Sequence, residues 1–202
     1  MVIVNGSNFI DGLNTLLIGY YLIISYFILN LDLIDKDIFI FEKFNYWILF
    51  LLIIFLFNIF KKIFMGDGGA YLIGFIYGFL LIDIYSNKPD ISPFFILMLI
   101  WYPCFEILFS VVRKLNFNRS PIKPDTKHFH QMIYYFLQKK FKIHEKYLNS
   151  LTANLINSFN FLIILVAAQD ITNTQYQIIL IIFSIFVYIF IYARLLIYRY
   201  QK

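Results

Sequence analysis

The stretch that decides the fold runs over residues 66–85 and reads GDGGAYLIGFIYGFLLIDIY. Three glycines and Asp67 come first, and almost every later residue up to Asp83 is apolar. A helix needs about 20 mostly apolar residues to cross the hydrocarbon core of a membrane. The stretch therefore predicts a membrane span over about 70–86 that opens directly after a carboxylate in a glycine-rich turn.

The whole composition agrees with a membrane protein. The chain is 61% hydrophobic and 14% charged, its mean hydropathy is +0.74, and it contains 25 Phe and 16 Tyr. These values exclude an ordinary soluble domain. The single cysteine, Cys104, excludes an intrachain disulfide and a cysteine metal cluster. We therefore expect an all-α, polytopic membrane protein.

The hydropathy pattern predicts six spans in one helical bundle that covers 1–202. The predicted spans are about 12–31, 44–60, 70–86, 93–112, 153–169 and 177–197. The longest connection, 113–152, is strongly basic.

Lysine and arginine are distributed unevenly between the two predicted membrane faces. Fourteen lie on one face, and only Lys36, Lys43 and Lys88 lie on the other. The positive-inside rule makes the richer face cytoplasmic, together with both chain ends and the motifs described below. The basic residues are thus explained by topology in the inner (plasma) membrane, and we expect no nucleic-acid partner.

The glycine-rich turn suits an anion. Glycines such as Gly68 let a ligand approach the backbone, and a helix that starts there offers free N–H groups and a positive dipole end. Asp67 would repel a diphosphate unless a divalent cation lay between them, so Asp67 is a candidate Mg²⁺ ligand. The alternative is a flexible turn with an exposed aspartate, which is the commoner explanation of a bare GDGG.

A second polar group precedes the first predicted span. The spacing of three places Asn5, Asn8 and Asp11 along one face of a helix. Carboxamides beside a carboxylate suit contacts with a nucleotide or with metal-bound water. The alternative is a helix cap, in which these side chains satisfy the first amides of the span.

The basic connection carries a pair of histidines, His128 and His130. In extended chain both point to the same side, and with Arg119 and Lys127 nearby they would suit a diphosphate. The alternative is a pair of surface histidines without a ligand.

Two further features of this region carry predictions. The apolar stripe within 131–148, with lysines largely elsewhere, predicts an amphipathic helix lying on anionic lipid, or one packed on the bundle. Glu106 lies inside a predicted span, where a carboxylate is costly and indicates a functional site. The alternative for Glu106 is hydrogen bonding to a neighbouring helix.

The order of these motifs is more specific than any one of them. They are Asn5-x-x-Asn8-x-x-Asp11-Gly12, the run 64–69, Pro103-x-x-Glu106, and Ser120-Pro121-x-x-Pro124-Asp125-x-x-His128-x-His130. In this order, over most of 5–132, the sequence resembles the polyprenyl-phosphate N-acetylhexosamine-1-phosphate transferases. The His-x-His form followed by Gln131 is closer to the GlcNAc-1-phosphate branch than to the three-histidine members.

The resemblance implies a reaction, a metal and partners. Polyprenyl phosphate in the bilayer attacks the β-phosphorus of a UDP-amino sugar, which gives the lipid-linked sugar of a cell-envelope glycan and UMP. The metal is Mg²⁺, with Mn²⁺ as an alternative. Asp67 resembles the Mg²⁺ ligand, Asp11 the carboxylate beside the nucleotide with Asn8 as its neighbour, and His128 and His130 the loop histidines near the sugar diphosphate. The expected site comprises catalytic Asp11, Asp67, His128 and His130, and substrate-binding Asn5, Asn8, Gly68, Arg119 and Lys127.

Three departures from the family pattern bear on activity. Asn14 and Thr15 stand where many members have Asp-Gly, and Glu106 stands for a frequent Asp. Family members also carry further spans before the position of Asn5, with an adjacent pair of aspartates. We therefore expect these 202 residues to be the C-terminal part of a larger fold and inactive alone, needing a homodimer partner or a separate N-terminal half. The alternatives are a non-catalytic remnant or scaffold subunit, and a small transporter, although the inverted repeats typical of transporters are not found.

Overall fold

The structure is a computed structural model that describes residues 1–34, 38–116, 120, 126–141 and 144–200, without the side chains of 38–41 and 146. Within these ranges every regular element is a helix, which confirms the predicted all-α class. The helices are α1 Val2–Ile10, α2 Leu16–Asn30, α3 Ile38–Ile59, α4 Gly66–Asn87, α5 Pro93–Leu99, α6 Trp101–Asn116, α7 Phe129–Phe141, α8 Glu145–Ala167 and α9 Thr174–Tyr200.

Four of the described helices are long and apolar enough to cross a membrane. Their spanning segments are Glu42–Ile59, Gly66–Asn87, Tyr147–Ala167 and Thr174–Tyr200. The pair α5 and α6 passes the same test as one span with a bend of 77°, and α2 is a shorter apolar helix. The protein is therefore a multi-pass membrane protein by length and composition of its helices, and the number six stays a prediction.

The bend between α5 and α6 has a cause in the sequence. Pro103 lacks an N–H, and its ring would clash with the carbonyl of Leu99 if the helix continued unbroken. The chain leaves helical geometry at Ile100. The released Leu99 carbonyl accepts a hydrogen bond of 2.9 Å from the Tyr20 hydroxyl, so the break leaves no unsatisfied acceptor there.

The short helix α1 is held between α4 and α6 by glycines. A Cβ atom at Gly74 would lie 2.5 Å from Ser7 Oγ, and one at Gly6 would lie 2.3 Å from the Pro103 carbonyl oxygen. Such distances are too short for any larger residue, so the backbones approach closely, as is common in membrane bundles. Because α1 and α4 run antiparallel, the end of α1 lies beside the start of α4.

The connections at the opposite end of the bundle are tied together. Lys88 donates a hydrogen bond from Nζ to the carbonyl of Asp32. The Ser92 N–H donates to the Ile171 carbonyl at 2.9 Å, and the Ser92 and Thr174 hydroxyls lie 3.1 Å apart. The connections 31–34, 88–92 and 170–173 therefore form one end, away from the motif residues.

The prediction of a single helix over 131–148 is wrong. Helix α7 ends at Phe141, and Leu148 is a fully buried residue of α8. The apolar stripe continues through the sequence because α7 and α8 pack against each other and both bury apolar residues. Met132 and Leu137 of α7 are buried, so its apolar face is turned to the bundle.

Candidate functional site

Two aspartates meet where α1 ends and α4 begins. The Asp11 carboxylate accepts a hydrogen bond from the Gly66 N–H, and the charge of Asp67 acts on it. Burial raises the pKa of Asp11 to about 7, the Gly66 N–H lowers it, and Asp67 raises it further. Two neighbouring carboxylates repel each other when both are charged, and a cation bound between them relieves that repulsion.

The asparagines of α1 differ in position. Asn8 Nδ2 lies 3.1 Å from the Tyr71 hydroxyl, one helical turn after Asp67. Asn5 Nδ2 donates instead to the Met1 carbonyl within its own helix. Asn5 also precedes Asp11 by six residues, about 9 Å along a helix axis. The structure therefore brings Asn8 and Asp11, but not Asn5, towards Asp67.

The glycine-rich turn is the first turn of α4. Gly66 has φ +63°, a left-handed conformation that favours glycine. Gly68 is exposed, and a Cβ atom there would meet no atom within 4 Å. The first N–H groups of a helix lack intrahelical partners and favour anions. The start of α4 thus offers backbone donors and open space beside the exposed Asp67, in the first turn of a helix.

A second cluster surrounds Glu106 of α6. Glu106 is 1% exposed. Its Oε1 lies 3.3 Å from His128 Nδ1 and accepts the Phe129 N–H at 3.1 Å. Its Oε2 accepts the Tyr188 hydroxyl at 2.6 Å. The embedded carboxylate is fully hydrogen-bonded, and one of its partners is a histidine predicted to belong to the site.

The two histidines have different environments. Their rings are parallel with centroids 5.7 Å apart, but the side chain of His128 is 13% exposed and His130 is 1% exposed. Neither ring nitrogen of His130 has a hydrogen-bond partner among the described residues. Burial lowers the pKa of His130 to about 4, against the opposite effect of the Glu106 charge. His130 is thus a neutral residue behind His128.

The two clusters border one site. Phe9 of α1 contacts His128 edge to face, with centroids 5.1 Å apart. Gly12 lies against His130, because a Cβ atom at Gly12 would be 2.3 Å from His130 Nε2. Asp11 lies between Phe9 and Gly12 in sequence. Residues 126–130 are called the histidine segment below. Asp11, Asp67 at the start of α4, and the histidine segment are therefore neighbours around the end of α1.

The predicted basic residues are only partly placed. Lys127 Nζ lies 5.1 Å from the ring centroid of Tyr200, and the Lys127 carbonyl accepts the Tyr192 hydroxyl at 3.0 Å. Arg119, with Pro121, Pro124 and Asp125 of the motif, lies outside the described residues.

The sequence reasoning missed the tyrosines of α9. Tyr188 and Tyr192 are buried, and their rings stack in parallel with centroids 6.3 Å apart. A spacing of four places them on one helix face within an Ile- and Phe-rich span, which was an available signal. The Tyr188 hydroxyl donates to Glu106, and the Tyr192 hydroxyl donates to the carbonyl of Lys127 in the histidine segment.

The arrangement fits Mg²⁺ that is shared with a substrate. Mg²⁺ binds through one or two carboxylates, substrate phosphates and water. Asp67, with Asp11 beside it, supplies that number of carboxylates. In the described part of the chain no group of three or more His, Cys, Asp or Glu could hold a metal alone.

Comparisons with known proteins give the same family as the motifs. Residues 1–85 match the family model described as glycosyl transferase family 4. The proteins of Salmonella typhi and Escherichia coli (strain K12) named undecaprenyl-phosphate alpha-N-acetylglucosaminyl 1-phosphate transferase are each 37% identical over 73 residues. The protein of that name from Pasteurella multocida (strain Pm70) is 34% identical over 73 residues. No solved structure matches.

The matches cover part of each protein. The aligned 73 residues are 36% of this chain, and the chain spans only 20% of the length of these relatives. The family segment contains Asp11 and Asp67, whereas Glu106 and the histidines lie beyond it. Residues 1–85 are therefore similar to glycosyl transferase family 4, in agreement with the resemblance drawn from the order of the motifs.

Proposed function

We propose that this chain is part of a membrane enzyme that transfers N-acetylhexosamine 1-phosphate from a UDP-sugar to polyprenyl phosphate. An oxygen of the lipid phosphate bonds to the β-phosphorus as the bond from that phosphorus to the UMP oxygen breaks. The observation that carries the proposal is the meeting of Asp11, Asp67 and His128 around the end of α1. The names of the relatives support the same reaction and a GlcNAc donor.

The residues fit the demands of phosphoryl transfer, which depends mainly on positioning and charge neutralisation. Bound Mg²⁺ would neutralise charge on the diphosphate. Asp67 would hold the cation, and the exposed first turn of α4 at Gly68 would donate N–H groups to phosphoryl oxygens. His128 would approach the diphosphate from the other side, and Asn8 would border the nucleotide.

An apolar cavity beside the site suits the lipid acceptor. It has a volume of about 270 Å³ and lies between α6, α7, α8 and α9. Phe129 and Tyr188 line it and also contact Glu106. Its other walls include Trp101, Phe159 and Leu195. The reactive end of polyprenyl phosphate could therefore reach the polar site while its isoprenoid chain stays in apolar surroundings.

The basic residues support a cytoplasmic site. Lys61 and Lys62 follow α3 shortly before the glycine-rich turn. Lys127 belongs to the histidine segment, and Arg113 donates to the Tyr192 hydroxyl, which contacts that segment. We place this end of the bundle at the cytoplasmic face of the inner membrane, where UDP-sugars are made, for synthesis of a lipid-linked cell-envelope glycan.

The test is binding and transfer by the 202-residue chain in detergent with Mg²⁺, labelled UDP-GlcNAc and polyprenyl phosphate. We expect Asp67→Asn to weaken Mg²⁺-dependent UDP-GlcNAc binding by about tenfold or more, because a charged ligand is lost. Asp83→Asn, an exposed site on the same helix, is the matched control and should bind like the wild type.

The outcomes separate the metal site from the function. Unchanged binding by Asp67→Asn would contradict the metal assignment. We expect the chain alone to bind UDP-sugar without releasing UMP. Absence of UDP-sugar binding by the wild type, with UDP-GlcNAc and UDP-GalNAc alike, would contradict the proposed function.

A further inference from the structure

The last helix, α9, holds three consecutive parts of the histidine segment. Arg199 Nη1 donates to the Thr126 carbonyl at 2.8 Å. The Tyr192 hydroxyl donates to the Lys127 carbonyl at 3.0 Å. The Tyr188 hydroxyl donates to the Glu106 carboxylate. The same carboxylate contacts His128 Nδ1 and accepts the Phe129 N–H. The histidine segment therefore takes its position from a helix that lies about 60 residues further along the chain.

The hydrogen bonds to Glu106 divide between its two oxygens. Oε1 accepts from the histidine segment and Oε2 accepts from Tyr188. The Tyr188 ring also stacks on Phe129, with centroids 4.3 Å apart. A buried carboxylate with donors on both oxygens has one stable orientation, since any rotation leaves a charged acceptor unpaired.

We propose that Glu106 and Tyr188 are positioning residues for His128. Tyr188 fixes the Glu106 carboxylate, and the carboxylate fixes the proton of the His128 ring on Nδ1. The lone pair or second proton of the ring then lies on Nε2, which makes no hydrogen bond within the described residues. A carboxylate that sets the tautomer and orientation of an imidazole is a general device in sites that use histidine.

The neighbours of His128 agree with this role. Phe9 packs against the ring from one side and His130 stacks on it from another. Gln131 Oε1 accepts the His128 backbone N–H at 3.2 Å. The His128 ring is thus held by packing against Phe9 and His130 and by the contact of its Nδ1 with Glu106. The further step, in which His128 Nε2 contacts the diphosphate of the substrate, rests on the proposed function.

The chain is well suited to a direct test, because His128, His130 and His144 are its only histidines. We would label histidine with ¹⁵N in the full 202-residue chain, in detergent micelles. Side-chain resonances would be assigned with His130→Gln and His144→Gln, and the Nδ1–H to Nε2–H ratio of His128 would be measured.

We expect the proton of His128 on Nδ1 in the wild type. In Tyr188→Phe and in Glu106→Gln the Nδ1–H to Nε2–H ratio should fall about twofold to tenfold, the effect of weakening one hydrogen bond. Tyr198→Phe, the same change on the same helix, is the control, because Tyr198 packs on Phe136 instead. It should leave the ratio unchanged.

Two results would overturn the proposal. One is a wild-type His128 protonated on Nε2. The other is an unchanged ratio in both Tyr188→Phe and Glu106→Gln when circular dichroism shows that these variants are folded.

A ligand titration then tests the proposed function separately. UDP-GlcNAc with Mg²⁺ should move the Nε2 resonance of wild-type His128 and move it less in Tyr188→Phe. No movement in the wild type would contradict the proposed function and leave the positioning role standing, because the tautomer is measured without ligand.

Discussion

His130 is a residue whose chemistry differs clearly from its ordinary behaviour. It is a neutral imidazole with a pKa lowered to about 4, because burial disfavours its charged form. Its pKa in the unfolded chain is about 6.5. Between these values the unfolded chain binds more protons, so folding stability rises with pH through this window. The stability is fully present above pH 6.5 and is lost as the pH falls towards 4.

We therefore expect acid to destabilise the protein through His130. The shift from about 6.5 to about 4 corresponds to roughly 3 kcal/mol at most. Because the raised pKa of Asp11 has the opposite effect over the same pH range, the prediction is a difference between proteins. From pH 7 to pH 4.5 the midpoint of thermal unfolding in detergent should change less favourably in the wild type than in His130→Gln. His144→Gln is the control, since His144 is exposed and should keep the wild-type pH dependence. Equal slopes in all three proteins would contradict the buried, neutral state of His130.

Individual site residues differ in how far the sequence could predict them. Asp11 and Asp67 follow from helix ends and glycine spacing, which are local properties. That His128 is partly exposed while His130 is buried depends on Gly12 and Glu106, which are distant in sequence. The Tyr188 contact depends on how α9 packs, which no local pattern contains.

At the scale of elements, the crossing of α2 and α8 depends on one glycine and one asparagine. Asn157 Nδ2 donates to the Thr15 and Leu16 carbonyls at 3.2 and 3.3 Å. A Cβ atom at Gly19 would lie 2.5 Å from the same nitrogen. The Thr15 carbonyl also accepts the Gly19 N–H at 3.0 Å, so Asn157 adds a second donor at the start of α2, and the glycine allows the close approach.

Gly19→Ala and Asn157→Ala should therefore compensate each other. Gly19→Ala forces a clash that we expect to cost about 1–3 kcal/mol. Asn157→Ala removes the hydrogen bonds, about 1 kcal/mol within a membrane. In the double variant the clash is gone, so its unfolding midpoint should exceed that of Gly19→Ala. Asn154→Ala, exposed on the same helix, should be neutral and should not rescue Gly19→Ala. A purely additive double variant would contradict the crossing.

Elements were predictable where the chain encodes them locally. The apolar run after Gly69 specified α4, and Pro103 is enough to explain the bend at Ile100. The apolar stripe over 131–148 gave a wrong prediction of one helix. The 3.6-residue periodicity of apolar residues is the same for a helix on lipid and for two helices that pack against each other. The short helix α1 is stabilised mainly by burial against α4 and α6, which single-sequence periodicity does not show.

At the scale of the whole molecule, the polar site lies at one end of the bundle and the tied connections lie at the other. Lys61 and Lys62 stand at the site end, next to the start of α4. The connection that contains Lys88 stands at the opposite end. The structure thus places Lys61 and Lys62 at one end of the bundle and Lys88 at the other, as the uneven distribution of lysine and arginine predicts. The positive-inside rule then predicts that the site end faces the cytoplasm.

The orientation can be tested with single cysteines. Cys104 is buried, and Cys104→Ser gives a background without a thiol. Lys62 and Asp90 are exposed at opposite ends, so each can carry a cysteine. In Escherichia coli spheroplasts a membrane-impermeant maleimide should label Asp90→Cys, and Lys62→Cys only after permeabilisation, because the basic end is retained in the cytoplasm. Labelling of Lys62→Cys in intact spheroplasts, with Asp90→Cys protected, would place the site on the outer face, where UDP-sugars are absent, and would contradict both the orientation and the proposed donor.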